Sequence, residues 1–158
     1  MILALLLALQ TTPTAPIVKG TGLPPPQTEE AQIMAPIEAM LAALGREDGA
    51  ALLALIRPEG GATVASERAD GGRAVRRFTW AEFAAKLKPG PDTFEERLGT
   101  PAIEIDGDIA MVWAPYTARL NGKVVHCGYD HFDLVRENAR WKILNVTWSQ
   151  RTTGCEAQ

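Results

Sequence analysis

The segment from Lys123 to Arg136 sets a histidine and an aspartate four residues apart among alternating apolar residues. Read as a strand, it places Val124, His126, Gly128, Asp130, Phe132 and Leu134 on one face, because successive side chains point to opposite sides. On a face enclosed by apolar walls, desolvation raises a carboxylate's pKa and lowers an imidazole's. Asp130 and His126 are then candidates for a catalytic proton-transfer pair, with Tyr116 donating to a developing oxyanion. The competing reading makes Asp130 a structural carboxylate, tied to backbone amides or to an arginine at the rim. Trp113, Tyr116, Asn145 and Thr147 are expected to join His126 and Asp130 in a polar and aromatic ligand-binding lining, although Trp and Tyr fill space as readily as they recognise ligands. Trp141 and Ile143 read as core. His131 falls on the opposite face beside Tyr129, a surface or interface position, and Trp148 is expected to cover the sheet or help form a dimer.

Other chemistries lack their residues. There is no nucleophile elbow, phosphate loop, dinucleotide fingerprint or zinc signature, and nothing around Ser66 or Ser149 would activate a hydroxyl. The chain has only two histidines. His126 and Cys127 are neighbours that a strand points apart, so no metal site is expected, and no cofactor. The formal charge is −3, and the densest basic cluster, Arg73 with Arg76 and Arg77, lies among alternating apolar residues like the solvated edge of a strand. Nucleic acid is not an expected partner.

The elements that must position these residues follow from periodicity. Ile33, Met34, Ile37, Met40, Leu41 and Leu44 recur at helical spacing, with Gly45 as the expected C-terminal cap and Pro36 either starting or kinking the helix. Asp48 is placed to cap a second helix containing Leu52, Leu53, Leu55 and Ile56, stopped by Pro58 and Gly60-Gly61. Thr79-Trp80-Ala81-Glu82 is a capping box, opening a short helix in which Trp80, Phe83, Ala84 and Leu87 share a face. The period then falls to two. Strands are expected at Ala62 to Arg68, Arg73 to Phe78, Ile103 to Asp106, Ile109 to Leu120, Lys123 to Arg136 and Arg140 to Arg151, punctuated by Asp70-Gly71-Gly72, Asp106-Gly107, Asn121-Gly122 and the weaker Glu137 to Ala139. The last four form an antiparallel meander. Strands this long, with helices on one face, curl around the first helix, so the expected class is α+β: a strongly bent antiparallel sheet of about six strands wrapped around N-terminal helices.

With 158 residues, 46% apolar and 22% charged, the chain suits one soluble domain with a true core. Met1 to Leu9 are almost wholly apolar, and a small, proline-bearing stretch follows. Residues 1–15 are read as a bacterial signal peptide cleaved near Ala15, 16–28 as a Pro-rich linker, and 29–155 as the domain; a buried N-terminal strand is the competing reading. The apolar run is too short for a membrane span. The two cysteines, Cys127 and Cys155, suit an oxidising periplasmic or secreted location and pair naturally as a disulfide, with free thiols as the alternative.

Several local motifs resemble the nuclear transport factor 2-like superfamily. They are the helix with Ile37, Met40 and Leu44 followed by Arg46-Glu47-Asp48, the Asp106-Gly107-Asp108-Ile109-Ala110 turn and strand, and Val112-Trp113-Ala114-Pro115-Tyr116. Most specific are His126 to Val135 and then Arg140-Trp141-Lys142-Ile143, which are similar to the bacterial branch described as lumazine-binding or simply nuclear transport factor 2 family proteins. The resemblance covers about residues 29 to 153. It implies a cone-shaped sheet, a pocket between its concave face and the first helix, and a homodimer through the sheet. It does not choose an activity, since members isomerise, dehydrate, cyclise or merely bind. The first functional reading is an exported, non-enzymatic module holding a small, partly apolar molecule in a mainly apolar cavity without a buried acid in contact with a base. The second is an isomerase, dehydratase or cyclase using Asp130 or His126, which requires Asp130 to be buried and turned toward Tyr116. A third is a cone filled by its own side chains, used as an interaction surface and lacking an accessible cavity.

Overall fold

A computed structural model describes residues 28–155. The expected signal peptide, and the linker up to residue 27, lie outside the described residues. Helix α1 spans Glu29–Gly45, and the Thr28 hydroxyl accepts the Ala31 amide at its start (3.2 Å). Its buried stripe, Ile33, Met34, Ile37, Met40 and Ala43, follows helical spacing. Pro36 lies inside the helix, where its ring nitrogen cannot bond the Gln32 carbonyl. The left-handed residue that turns the chain after α1 is Glu47 (φ 53°), two positions beyond the expected glycine.

Helix α2 is shorter than its apolar run suggests. It covers Gly49–Leu53, capped by Asp48, and Ile56 already begins strand β1, Ile56–Glu67. Strand β2 (Arg73–Thr79) and helix α3 (Trp80–Ala84) follow, the latter with the reciprocal Thr79–Glu82 capping box. The remaining strands are β3 (Phe94–Leu98), β4 (Ala102–Asp106), β5 (Ile109–Leu120), β6 (Lys123–Glu137) and β7 (Arg140–Arg151).

These make one seven-stranded sheet of order β2-β1-β7-β6-β5-β3, with β4 also on β5. The antiparallel meander is as expected. Two features differ: β3 adds a strand beyond the expected six, and β1 pairs parallel with β7. That contact is made possible by Gly60, where a Cβ would lie 1.6 Å from the Leu144 carbonyl oxygen. The edge of β5 is shared, with β4 covering Ile109–Trp113 and β3 covering Tyr116–Leu120. Pro115, which has no amide proton for a ladder, sits at the switch and its carbonyl accepts the Gly99 N–H (2.7 Å). The core joins the α1 stripe, Leu52, Trp80, Val112, Phe132, Leu134, Trp141 and Ile143 between helices and sheet.

Candidate functional site

A cavity of about 280 Å³ opens between the sheet and the helices, just below the roughly 300–1,000 Å³ typical of small-molecule pockets. Met40, Leu41 and Leu44 of α1 form one wall, Trp80, Phe83 and Leu87 of the α3 region a second, and Phe132, Val146 and Trp148 the sheet side. Into these apolar walls β3 sends Phe94 and Glu96, and β6 sends His126 and Asp130; Glu47 and Gln150 complete the lining.

Asp130 is 3% exposed and is the one charged-type residue buried among the described residues. Its Oδ2 has no hydrogen-bond donor from the protein. Another carboxyl, Glu96, lines the same cavity and lies close enough to interact with it. Two ionised carboxylates this close repel, which favours a proton held on the pair. Burial raises both well above the ordinary carboxylate range, and the charge of Glu96 raises Asp130 further.

His126 belongs to a different pair. Its Nδ1 lies 3.1 Å from the Tyr116 hydroxyl oxygen, and that hydroxyl also donates to the Ser149 carbonyl (3.0 Å). A phenol has one proton and a carbonyl can only accept, so both contacts are satisfied when His126 donates from Nδ1 and keeps a bare Nε2. Burial lowers the His126 pKa and so favours this neutral ring. Burial, with the nearby charges of Glu96 and Asp130, raises Tyr116 and keeps it protonated. Tyr116 reaches Ser149 because Gly128 stands opposite it on β6: a Cβ there would lie 2.0 Å from the Ser149 carbonyl oxygen.

The structure therefore puts His126 and Asp130 on the cavity but does not join them. Four residues along a strand span about 13 Å, and His126 pairs with Tyr116 while Asp130 pairs with Glu96. Tyr116, 2% exposed, is not among the lining residues and touches one of them, His126.

The placement of three expected lining residues is corrected. Trp113 is on the outer face, 46% exposed and stacked on Tyr129 with ring centroids 5.2 Å apart. The inward residues of β5 are Ala110, Val112, Ala114, Tyr116 and Ala118, and period two alone separates 113 from 116. Asn145 and Thr147 also miss the cavity. A bulge leaves Leu144 unpaired between the Asp133–Asn145 and Leu134–Ile143 pairs, which reverses the faces of β7 beyond it. Trp141 and Ile143 stay in the core as expected, but Val146, Trp148 and Gln150 are the residues turned inward. Trp80 holds this bulge through its indole N–H on the Leu144 carbonyl (3.0 Å). Asn145 instead accepts the Gly61 amide and donates to Asp133, and Thr147 is exposed. A second bulge at Val125 takes Val124 out of register, leaving it 39% exposed.

Glu96 was missed because Phe94-Glu95-Glu96-Arg97-Leu98 is short and charged. The signal was present: Phe94, Glu96 and Leu98 share a face, so an acid sits between two apolar residues. Asn121 fixes this strand from the neighbouring hairpin, accepting the Thr93 amide (2.9 Å) and donating to Asp92 (2.8 Å).

Cys127 and Cys155 are joined in a disulfide, Cα atoms 5.5 Å apart. Among the described residues, no helix is long and apolar enough to cross a membrane, and no group of three or more His, Cys, Asp or Glu is placed to hold a metal ion.

No family model matches the sequence, and no curated protein matches it. The fold does match solved structures. A nuclear transport factor 2-like protein from Cytophaga hutchinsonii superposes with a TM-score of 0.60 at 12% identity, covering 78% of this chain and 98% of that one. One from Novosphingobium aromaticivorans, described as having a cystatin-like fold, gives 0.59 at 16%, covering 82% and 84%. One of unknown function from Pseudomonas putida gives 0.56 at 19%, covering 75% and 84%. The chain has the nuclear transport factor 2-like fold, and at these identities the likeness carries the fold alone.

Proposed function

We propose that this chain is an exported binding protein that holds a small, partly apolar molecule in the cavity between sheet and helices. The observation that carries the reading is Asp130 Oδ2, a buried polar atom without a protein donor on the wall of an otherwise largely apolar cavity. Such a group costs free energy unless a partner reaches it, and a ligand is the partner a cavity admits. The disulfide and the apolar N-terminal run support an oxidising compartment. Native mass spectrometry of the protein purified from its own host tests this: the expected result is a mass increment that denaturation removes, whereas a protein emptied of any small molecule in repeated preparations would turn the reading toward an interaction role.

A second reading, proton transfer at carbon, is favoured by one observation: Asp130 is buried on the cavity opposite Ala114, two residues along β5 from Tyr116. The acid here is the Glu96–Asp130 pair rather than Asp130 with His126. Turnover abolished by Asp130→Asn while ligand is still bound would establish it; unchanged turnover would remove it.

The outer sheet face, where Trp113 and Tyr129 stack in the open, is the surface we assign to a homodimer. Sedimentation equilibrium of the protein beside Trp113→Lys tests this, with a dimer expected for the first and a monomer for the second.

A further inference from the structure

The ionisable groups on the cavity wall are carboxyls and one imidazole, a set weighted toward hydrogen-bond acceptors. Asp130 Oδ2 is unpartnered, Glu96 can only accept unless it holds the shared proton, and His126 presents Nε2 once Nδ1 is engaged by Tyr116. Glu47 adds a further carboxylate to the lining, and Gln150 a neutral amide. Among the described residues, no Lys or Arg lines the cavity. Around these acceptors stand the rings of Trp80, Phe83, Phe94, Phe132 and Trp148. Aromatic faces and carboxylates are the two surroundings that stabilise an organic cation.

From this geometry we infer that the cavity selects a small organic cation, an amine or amidine on an apolar body, whose charged end lies at Glu96 and Asp130. The inference rests on the binding reading above and names its ligand class. Binding has a proton balance. When the ligand's N–H groups bond the carboxyl oxygens, the proton held between Glu96 and Asp130 is no longer needed there, and it leaves to solvent as the cation enters. The other titratable groups that bear on this pair are few. Tyr116 from β5 stays protonated, His126 from β6 is neutral, and Glu47 stands after α1. Arg151 at the end of β7 acts on Tyr116 without lining the cavity.

The test uses three probes of one shape, 2-naphthylmethylamine, 2-naphthylmethanol and 2-naphthoate, titrated calorimetrically into the disulfide-bonded protein at several pH values in buffers of different ionisation enthalpy. The amine is expected to bind at least about tenfold tighter than the alcohol, the carboxylate not at all. Amine binding should release up to one proton and strengthen from pH 6 to pH 8. In Glu96→Gln/Asp130→Asn the amine should lose its advantage over the alcohol and its proton release together. Equal binding of amine and alcohol, or preferred binding of the carboxylate, would overturn the cation assignment and leave the binding reading standing. Failure of all three to bind would overturn the cation assignment, while the native mass spectrum decides the binding reading separately.

Discussion

Glu96 on β3 and Asp130 on β6 meet although their strands do not pair. Both strands flank β5, where Glu96 stands opposite Ala118 and Asp130 opposite Ala114. Both alanines are fully buried. Three neighbouring strands thus bring two acids to the wall of one largely apolar cavity.

The shared proton has a signature in stability. A carboxyl whose folded pKa is raised stays protonated while the unfolded chain ionises, so the folded state becomes progressively less favoured as pH rises above the ordinary carboxylate range. Asp130→Asn and Glu96→Gln should therefore gain on the parent protein between pH 5 and pH 8, by about 1–3 kcal/mol. His126 acts in the opposite sense, since its lowered pKa withdraws stability as pH falls through about 6.5, so variant minus parent is the informative difference. Urea unfolding at both pH values measures it. A difference that stays constant with pH would show that no proton is held.

Tyr116→Phe removes one hydroxyl and strands two partners, the Ser149 carbonyl and His126 Nδ1. The expected cost is about 1–3 kcal/mol. Nitrogen chemical shifts of the two histidines provide an independent readout: the Nδ1–H tautomer at His126 in the parent, and its loss in Tyr116→Phe. Finding Nε2–H in the parent would refute the hydrogen-bond direction derived above.

The hairpin between β6 and β7 turns through Asn138 (φ 48°) and Ala139 (φ 60°). Two central residues at positive φ define a turn that favours glycine second, and alanine is strained there. Ala139→Gly should raise stability by about 0.5–1 kcal/mol, visible as a higher urea midpoint with an unchanged slope. A lower midpoint would mean that chain entropy outweighs the strain.

What could be read from the sequence was local, and what escaped was set by distant contacts. Asn121-Gly122 announces its hairpin because left-handed backbone selects those residues, and Asn121 and Gly122 take φ 52° and 77°. The inward face of β6 from His126 to Leu134 is legible because the bulge on that strand falls before it, at Val125. By contrast Pro58, Gly60 and Gly61 read as breakers, yet they lie within β1, and Gly60 is there to admit the Leu144 carbonyl from a strand more than eighty residues later in the chain. The same residue, Leu144, bulges and turns Trp148 rather than Thr147 inward, a choice held by Trp80 from across the cavity. Trp113 needed no structure: its position is odd where Tyr116 is even.

The disulfide ties the end of the chain to the strand that carries both His126 and Asp130. Cys127 is buried beside His126 and opposite Thr117, and Cys155 lies four residues beyond Arg151, the last residue of β7. On the chain-entropy model, closing a loop of about 29 residues contributes roughly 3.5 kcal/mol. Cys127→Ala/Cys155→Ala should lose about that much in denaturant unfolding, and reducing agent should lower the parent's midpoint while leaving the double variant unmoved. Because Gly128 and Ser149 hold Tyr116 beside this link, the double variant should also weaken the Nδ1–H signal of His126. A retained signal with lost stability would confine the bridge to the chain terminus. Free thiols in protein taken from its host would contradict export.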